Sequence, residues 1–596
     1  MGFIKIGGKK LFCIIDSEFI LEDFEKPFKV IAGPGAGKTH WLVKNIKHLL
    51  LNSPKMHRNS KIACITYTNV GVEEINKKLD SKSNKVEVCT IHAFLYKNII
   101  RPYVYLLKDE ETNEVLVNTV LMKGHSDNVP SFDLIRKWRE ADLINYLNWR
   151  KDTSNRILNK LSSLQWKFED EDFSLISKDY TEGPSIRKED LIKYKKYCWK
   201  RGIIHHDDVL YLSYKLLKEY PGIATALSSV FTYIVLDEFQ DTSDIQTEII
   251  KILFESGSVV GTVGDSAQSI FKFQGAKRQA FIDFNLANQH NYIIRDNRRC
   301  GNKIVNLLNV IRNDMIQQEC VMNSLDNYVY IYQYADGNLV KPIIESFEAK
   351  RTELNLDNDF SIIAFKNEHV NLMKTALETN DIWGSFKELD ADRCTFLMKI
   401  FKGYRYYLEG FFDLAINEIE NALIVRKNGK LIAPFNDSYF DKSHVKGLAV
   451  NLLEFLLTQL QNDYSISLQN FYNKLCDFMK NKSLHLSKMV RNPIKDFAVQ
   501  TKVDFLINTV KLSEIKKDVY RTIHGVKGAE FQSVLLYLDG KNDLVSPNID
   551  ATNESTRIFY VGCSRAKQLL FIATPILDDQ EKQKLVEMYG DFIEFA

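Results

Sequence analysis

Short apolar runs that end at glycine-rich or acidic segments are spread along the chain. One run covers residues 28–31 and is followed, after a glycine-rich loop, by apolar residues at helical spacing over residues 41–49. A second run, residues 233–236, ends at adjacent acidic residues, and a third, residues 359–365, precedes another helical segment. Apolar runs of this length suit strands that are buried on both faces, so the pattern predicts an α/β fold.

The length and charge of the chain narrow this picture. A chain of 596 residues is too long for one hydrophobic core, so we expect two to four domains. Lys and Arg number 79 against 77 Asp and Glu, a net charge of +2. Since the whole chain is nearly neutral, any nucleic-acid surface must be a local groove.

Neither the cysteines nor the apolar stretches indicate a secreted or membrane protein. The 9 cysteines include no closely spaced pair of metal-ligand type, and we interpret them as reduced thiols. No stretch reaches the roughly 18 uninterrupted apolar residues of a membrane helix, and the apolar run near the start is too short for a signal peptide. The sequence predicts a cytoplasmic protein without a membrane partner.

The glycine-rich loop has the composition of a phosphate-binding loop. It consists of Ala32, Gly33, Pro34, Gly35, Ala36, Gly37, Lys38 and Thr39. Glycines let backbone N–H groups turn toward phosphate oxygens, and the following helix adds its positive N-terminus. Lys38 is expected to bridge the terminal phosphates and Thr39 to hold Mg²⁺. The alternative is an ordinary glycine turn, since Ala32 stands where the strict motif has glycine.

Asp237 and Glu238 follow the second apolar run. Acidic residues at the carboxyl end of a buried strand lie where a doubly wound sheet presents its ligand site. We expect Asp237 to contact Mg²⁺ and Glu238 to orient or deprotonate the attacking water; a solvated acidic turn is the alternative. Together with the glycine loop, this pair predicts hydrolysis of a nucleoside triphosphate.

Further motifs decide what this hydrolysis drives. In chain order they are Thr66-Tyr-Thr-Asn69, Gly71-Val-Glu-Glu-Ile75, Thr90-Ile-His-Ala-Phe94, Leu236-Asp-Glu-Phe-Gln-Asp-Thr242, Gly264-Asp-Ser-Ala-Gln-Ser-Ile-Phe-Lys-Phe-Gln-Gly-Ala276, Asn297-Arg-Arg299, Thr522-Ile-His-Gly-Val-Lys-Gly-Ala-Glu-Phe531 and Tyr560-Val-Gly-Cys-Ser-Arg-Ala566. In this order the chain resembles the UvrD/Rep/PcrA group of superfamily-one helicases. The resemblance implies two RecA-like P-loop motor domains, each carrying a mainly helical insertion, with ATP and Mg²⁺ as cofactors.

The resemblance also assigns roles around the nucleotide. Gln268 is expected to sense the γ-phosphate, with an ordinary polar loop glutamine as the alternative. Arg299 and Arg565 are expected to stabilise the γ-phosphate charge as arginine fingers. Glu530 matches the carboxylate that holds the ribose, although a plain surface glutamate is the alternative. Arg298 stands where relatives have a base-stacking tyrosine.

Nucleic-acid contacts are expected from two groups of residues. The aromatic residues in loops at strand ends are candidates for base stacking, with core packing as the alternative: Tyr67, Phe94, Phe271 and Phe273. The polar residues that match strand-contacting motif positions are Thr66, Asn69, Thr90, His92 and His524. Single-stranded DNA, or DNA with a single-stranded tail, is the expected partner, with RNA left open.

We predict four sequence segments. The first motor domain comprises residues 1–100 and 200–280, and the second comprises 281–380 and 506–596. Helical accessory insertions are expected at 101–199 and, shortened, at 381–505. The segment before the glycine loop contains no glutamine, whereas relatives read adenine with one, so adenine selectivity is open.

Two functions fit these features. The first is a 3′-to-5′ DNA helicase or translocase in anti-phage defence or repair. The second is a DNA-stimulated ATPase that acts as a sensor or regulatory subunit and unwinds little. Small UvrD-like proteins of this build accompany a nuclease in anti-phage systems such as the Gabija pair, which implies an OLD-family nuclease as partner.

Overall fold

The computed structural model describes residues 3–596 apart from 7–9, 24, 80–83, 129, 145, 148–150, 170–171, 178–185, 273–274, 313–326, 336–339, 377–381, 424–425, 428–429, 432–444, 463–465, 483, 485, 511–518 and 550–553. The chain forms two compact units. The first comprises Met1–His369 and Arg521–Ala596, and the second comprises Val370–Tyr520.

The strands of the described residues are β1 (Phe3–Ile6), β2 (Lys10–Ile15), β3 (Phe28–Ala32), β4 (Lys61–Thr66), β5 (Val86–Thr90), β6 (His125–Ser126), β7 (Leu164–Glu169), β8 (Asp172–Ser177), β9 (Ile204–His205), β10 (Phe231–Leu236), β11 (Val259–Gly264), β12 (His290–Ile294), β13 (Tyr328–Tyr334), β14 (Phe360–Ala364), β15 (Arg426–Lys427), β16 (Lys430–Leu431), β17 (Tyr520–Thr522), β18 (Phe531–Tyr537), β19 (Ala566–Pro575) and β20 (Glu594–Phe595).

The α-helices of the described residues are α1 (Lys38–Asn52), α2 (Asn69–Lys78), α3 (Ile91–Leu95), α4 (Arg101–Tyr103), α5 (Phe132–Ala141), α6 (Lys151–Ser162), α7 (Lys188–Trp199), α8 (His206–Glu219), α9 (Pro221–Val230), α10 (Asp244–Glu255), α11 (Arg278–Asp283), α12 (Asn302–Ile311), α13 (Val340–Glu353), α14 (Asn367–Ala376), α15 (Ile382–Leu389), α16 (Ala391–Leu408), α17 (Phe412–Leu423), α18 (Val445–Asn462), α19 (Leu468–Asn481), α20 (Ile494–Gln500), α21 (Val503–Thr509), α22 (Asn542–Val545), α23 (Glu554–Cys563) and α24 (Asp579–Tyr589).

The first unit contains two large sheets. The first sheet has the strand order β1-β2-β12-β3-β11-β10-β4-β5, and it is parallel except for the antiparallel β1–β2 pair. The second sheet has the order β17-β14-β18-β19-β13-β20. We call the parts of the chain built on these sheets the first fold and the second fold. The α/β class predicted from the apolar runs is confirmed.

The first sheet brings three chemically active loops to one edge. Strands β3, β11 and β10 are neighbours and run parallel, so their carboxyl ends meet at the same edge. The glycine-rich loop follows β3, the acidic pair follows β10, and the segment that carries Gln268 follows β11. Strand β12 also belongs to this sheet, so the domain boundary predicted at residue 280 falls inside the first fold.

The segment predicted as the first helical insertion contains more than helices. Helices α5, α6 and α7 are present, but the antiparallel hairpin β7–β8 lies between α6 and α7. Trp138 and Leu147 are buried there, whereas Leu143 and Tyr146 are exposed. Trp149 lies outside the described residues.

The second unit is mainly helical and has its own core. Helices α15–α21 lie within it, and its core gathers Phe401, Leu456 and Phe471. Its bounds are wider than the 381–505 predicted for the second insertion. The four-segment domain division stays a prediction. Among the described residues, no helix is both long and apolar enough to cross a membrane.

Candidate nucleotide and strand-contact site

A cleft of about 1010 Å³ lies in the first unit and is lined by both folds. Its walls include the whole of the glycine-rich loop after Ala32, the acidic pair, and motif residues of the second fold. Ligand pockets typically measure about 300–1,000 Å³, so the cleft has room for a nucleoside triphosphate.

The glycine-rich loop has a backbone that requires glycine. Gly35 and Gly37 have φ angles of 70° and 79°, in the left-handed region. A Cβ at Gly35 would collide with the side chain of Asn297, and one at Gly37 would lie 2.9 Å from Ser17 Cβ. The Arg298 backbone N–H donates to the Gly35 carbonyl at 2.8 Å, so the polypeptide after β12 packs directly on the loop.

Lys38 is the first residue of α1 and points at the acidic pair. Its Nζ lies 3.5 Å from Glu238 Oε1 and makes no hydrogen bond to any described residue, although it is buried. A buried ammonium without a hydrogen bond is costly unless an anion completes its shell. This cation is therefore ready to receive a phosphate oxygen.

The two carboxyl groups of the acidic pair have pKa values that are shifted in opposite directions. Burial, followed by the charge of Glu238, raises the pKa of Asp237 to about 7. Burial would also raise the pKa of Glu238, but Lys38 and then Lys527 outweigh it and lower that pKa to about 2. Glu238 has a φ of 53°, an uncommon conformation for a side chain that bears a Cβ. The ionised carboxylate of Glu238 is thus held beside Lys38 by a strained backbone.

Thr39 and Asp237 line the same cleft and suit Mg²⁺. They offer a hydroxyl and a carboxylate oxygen, the hard donors that this ion prefers. A divalent cation would also offset the burial and the Glu238 charge that together raise the pKa of Asp237. The described residues contain no cluster of three or more His, Cys, Asp or Glu side chains that could hold a metal ion. Such an ion would therefore depend on phosphate oxygens and water for its remaining ligands.

Gln268 connects the two folds at this cleft. Its Nε2 donates to Asp265 Oδ2 at 2.7 Å, and its Oε1 accepts from Arg565 Nη2 at 3.4 Å. Arg565 is 1% exposed and also donates to the Ala529 and Val561 carbonyls. Burial, and then the nearby Arg299, lower the pKa of Arg565 to about 10, so it remains a cation at neutral pH. Both arginines predicted as fingers line the cleft.

Glu530 is paired with cations in this structure. Arg299 Nε donates to Glu530 Oε2 at 2.6 Å, and Lys567 Nζ lies 2.9 Å from Oε1. Burial would raise the pKa of Glu530, but these two cations lower it. The residue predicted to hold the ribose therefore contacts one predicted arginine finger. Arg298 lines the same cleft, with its Nη2 3.8 Å from Asp296 Oδ2.

Several predicted strand-contact residues cluster beside the cleft. Tyr67 stacks on Phe271 with ring centroids 5.1 Å apart, and the His524 ring lies 5.9 Å from Phe271. His524 Nε2 is hydrogen-bonded to the Ile270 carbonyl at 3.0 Å. Phe271 is only 8% exposed, and its ring stacks on Tyr67. Phe273 lies outside the described residues.

The remaining predicted strand-contact residues differ in their burial and in the contacts that they make. Thr66 is buried at the end of β4, and Asn69 is exposed at the start of α2. Thr90 caps α3, since its Oγ1 accepts from the Ala93 N–H at 3.4 Å. His92 lies against two further histidines; burial and these neighbours lower its pKa to about 4, so it is neutral at neutral pH.

Phe94 corrects a prediction. Its side chain is fully buried in the core of the first fold, in an edge contact with Phe231 at 5.0 Å between centroids. The residue lies on α3, whose inner face packs against the sheet, rather than in a loop. Core packing, the alternative reading of this aromatic residue, is what the structure has, so Phe94 is not a stacking platform.

Sequence reasoning missed one cleft residue, Lys527, and one residue that packs on the phosphate loop, Asn297. Lys527 Nζ donates to Asp241 and, at 2.8 Å, to the Gln268 carbonyl, and it lies 4.8 Å from the Phe271 ring centroid. Asn297 accepts from the Arg299 N–H at 2.9 Å and approaches Gly35. Both residues stand inside recognised motifs, and that position was the one available signal for them.

A phosphate loop, an acidic strand end and arginines from a second α/β fold define an ATP-hydrolysing motor protein with two RecA-like domains.

Residues 16–289 match the family described as UvrD/REP helicase N-terminal domain. The chain is 24% identical to Gabija protein GajB of Bacillus cereus (strain HuB5-5) over 95% of this chain and 95% of the relative. It is also 24% identical to ATP-dependent DNA helicase Rep of Buchnera aphidicola subsp. Acyrthosiphon pisum, over 91% and 92%. The Probable DNA helicase II homolog of Mycoplasma genitalium is 24% identical over 91% and 82%. The N-terminal part of the chain thus resembles the UvrD/REP helicases, and most of the chain is similar to proteins named as DNA helicases.

Proposed function

We propose that this protein is an ATP-driven motor that moves 3′-to-5′ along single-stranded DNA and separates duplex strands. The observation that carries the proposal is the cleft lined by Lys38 and Glu238 of the first fold, by Arg565 of the second, and by Arg299 in the segment that joins β12 to α12. Hydrolysis at such a site depends on both folds, so it can drive them together and apart. The full-length similarity to proteins named as DNA helicases supports DNA as the substrate.

The residues of the cleft divide the work of hydrolysis. The loop N–H groups and Lys38 bind the β- and γ-phosphates, and Glu238 orients the attacking water. Gln268 contacts the γ-phosphate, and Arg565 and Arg299 stabilise the charge that develops on it. Thr39 and Asp237 would hold Mg²⁺, which would supply charge neutralisation at the phosphates. Arg299 is also paired with Glu530, so the residue proposed to hold the ribose contacts one of the proposed arginine fingers.

The strand-contact cluster links this chemistry to movement. Tyr67 and Phe271 belong to the segments that follow β4 and β11, whereas His524 belongs to the second fold. Lys527 contacts both Phe271 and the acidic segment after β10. A shift of the second fold on ATP binding therefore changes the Tyr67–Phe271 stack directly. Alternate grip and release of a base at this stack would produce stepping.

The test is ATP hydrolysis with and without single-stranded DNA, followed by strand separation on duplexes with a 3′ or a 5′ tail. The wild type should be strongly stimulated by DNA and should separate only the 3′-tailed duplex. Lys38→Ala and Glu238→Gln should abolish both activities. Hydrolysis that ignores DNA would overturn the proposal, and preference for the 5′ tail would overturn its direction.

The similarity to Gabija protein GajB along nearly the whole of both chains favours a second candidate. Here the protein is a DNA-stimulated ATPase subunit, cytoplasmic and bound to an OLD-family-like nuclease, that senses DNA and unwinds little. Among the predicted platforms that the structure describes, Tyr67 and Phe271 stack on each other and Phe94 is buried, which suits sensing. DNA-stimulated hydrolysis without strand separation, together with copurification of a nuclease from the native host, would select this candidate.

A further inference from the structure

A buried ion pair joins the two folds next to the γ-phosphate sensor. Arg312 caps the carboxyl end of α12 in the second fold, and Asp265 follows β11 in the first. The Nη1 and Nη2 atoms of Arg312 each lie 3.3 Å from an Asp265 carboxylate oxygen, and Nη1 donates to the Tyr560 hydroxyl at 2.9 Å. Arg312 is 1% exposed, and Asp265 and Tyr560 are fully buried.

Asp265 connects Arg312 to Gln268, the predicted γ-phosphate sensor. Its Oδ2 accepts from both Arg312 and Gln268 Nε2, while its Oδ1 accepts from the Ala267 N–H at 3.1 Å. The other end of the Gln268 amide accepts from Arg565. Each end of the sensor amide is thus held, directly or through Asp265, by an arginine of the second fold.

Packing alone gives little reason for a charge pair in this position. Removing two charges from water costs several kcal/mol per ion, and a well-packed apolar pair is often as stable or more stable. The segment that carries the sensor already packs into the core of the second fold through Ala267 and Ile270. The two folds can therefore pack together without the ion pair. The orientation of the Gln268 amide, in contrast, depends on the Asp265 carboxylate.

We propose that Arg312 is a positioning residue for ATP hydrolysis. It fixes the Asp265 carboxylate, which in turn aims the Gln268 amide, so the sensor is correctly oriented only while the second fold is engaged. This inference rests on the proposed function, because it assumes that Gln268 contacts the γ-phosphate. It gives the second fold a route to the sensor that is separate from the arginine fingers.

The proposal predicts a specific kinetic change. Displacing a catalytic group by about 1 Å costs on the order of 100-fold in rate. Arg312→Met should therefore lower the kcat of ATP hydrolysis by about 10- to 100-fold and change KM for ATP by less than about threefold. Tyr560→Phe, which keeps the ion pair and removes one hydrogen bond, should lower kcat by only about two- to threefold.

A double-mutant cycle with Gln268→Ala tests whether Arg312 acts through the sensor. If it does, Arg312→Met should cause little further loss of kcat once Gln268 is alanine. Effects that multiply in the double variant would overturn the proposal, because they would show independent roles. Arg351→Met is the matched control: Arg351 is also a buried, ion-paired arginine of the second fold, and its partners are Glu348, the Asp357 carbonyl and the rings of Phe347 and Phe360. This control should lower thermal stability and leave kcat unchanged.

The design separates this inference from the proposed function. All variants are assayed as the full chain, with and without single-stranded DNA. A wild type that hydrolyses ATP without DNA stimulation refutes the motor, while the cycle on basal hydrolysis still tests Arg312. If Arg312→Met does not fold, Arg312→Lys replaces it: the lysine keeps the charge but loses the two-point contact, so kcat should again fall about tenfold. Wild-type kcat in folded Arg312→Lys would overturn the proposal.

Discussion

Glu238→Gln isolates the negative charge of one cleft residue. The substitution keeps the size of the side chain and removes its charge. Glu238 Oε1 lies 3.5 Å from Lys38 Nζ, and its other oxygen accepts a hydrogen bond from Gln240. Because the pKa of Glu238 is lowered to about 2, the carboxylate is ionised throughout the range in which the enzyme can be assayed. We therefore expect it to orient and polarise water rather than to titrate during the reaction.

The magnitude follows from this role. A positioned acid–base group contributes about 10²–10⁴ to a rate. A carboxylate of such low basicity is a weak proton acceptor, so we expect a loss near the middle of this range, about 10³ in kcat, equal to about 4 kcal/mol in the barrier. The glycine loop and Lys38 remain intact, so KM for ATP should stay within about threefold.

The assay is steady-state ATP hydrolysis with saturating single-stranded DNA, together with titration of a fluorescent ATP analogue. Glu238→Gln should bind the analogue as the wild type does, whereas Lys38→Ala should bind it poorly, because it lacks the phosphate-binding cation. If Glu238→Gln retains kcat within tenfold of the wild type, the assignment of the attacking water to Glu238 is refuted. A large increase in KM instead would show that Glu238 chiefly holds Lys38 in place.

Three further predictions follow from burial, backbone geometry and charge. Phe94→Ala should lower the free energy of unfolding by about 3–5 kcal/mol in urea titrations, because Phe94 is fully buried. If this variant kept its stability but lost affinity for DNA, Phe94 would have a stacking role after all. Gly35→Ala should weaken ATP binding by about 1–3 kcal/mol, whereas Gly410→Ala, at a φ of 85° with open space around it, should leave ATP affinity intact. Burial raises the pKa of Asp241 to about 6, so the folded state holds its proton more tightly than the unfolded state, whose pKa is near 3.8. The stability contributed by this proton is complete below pH 3.8 and is lost as pH rises through 6. The stability difference between wild type and Asp241→Asn should therefore shift by about 2 kcal/mol between pH 4 and 7.5, and a constant difference would contradict the raised pKa.

The sequence alone predicted the features that depend on residues close together in the chain. The turn at Gly35 and Gly37 needs left-handed backbone angles, and glycine is the residue that adopts them readily. The strand at residues 359–365 is found as β14, and Asp237 follows β10 as its apolar run predicts. Each of these features depends on neighbouring residues, so hydrophobic periodicity and motif spacing predict them.

Tertiary structure decided which side chains meet. Phe94 and Phe231 are far apart in the chain, and only the packing of α3 on the sheet shows that Phe94 is core rather than surface. Likewise, no local pattern indicates that Glu530 pairs with Arg299 or that Arg312 reaches Asp265. A charged residue looks the same in sequence whether it is solvated or paired, and its partner depends on how distant elements close around it. The sequence therefore predicted which residues carry the chemistry of the cleft. Only the tertiary structure showed which contacts from the second fold hold those residues in place.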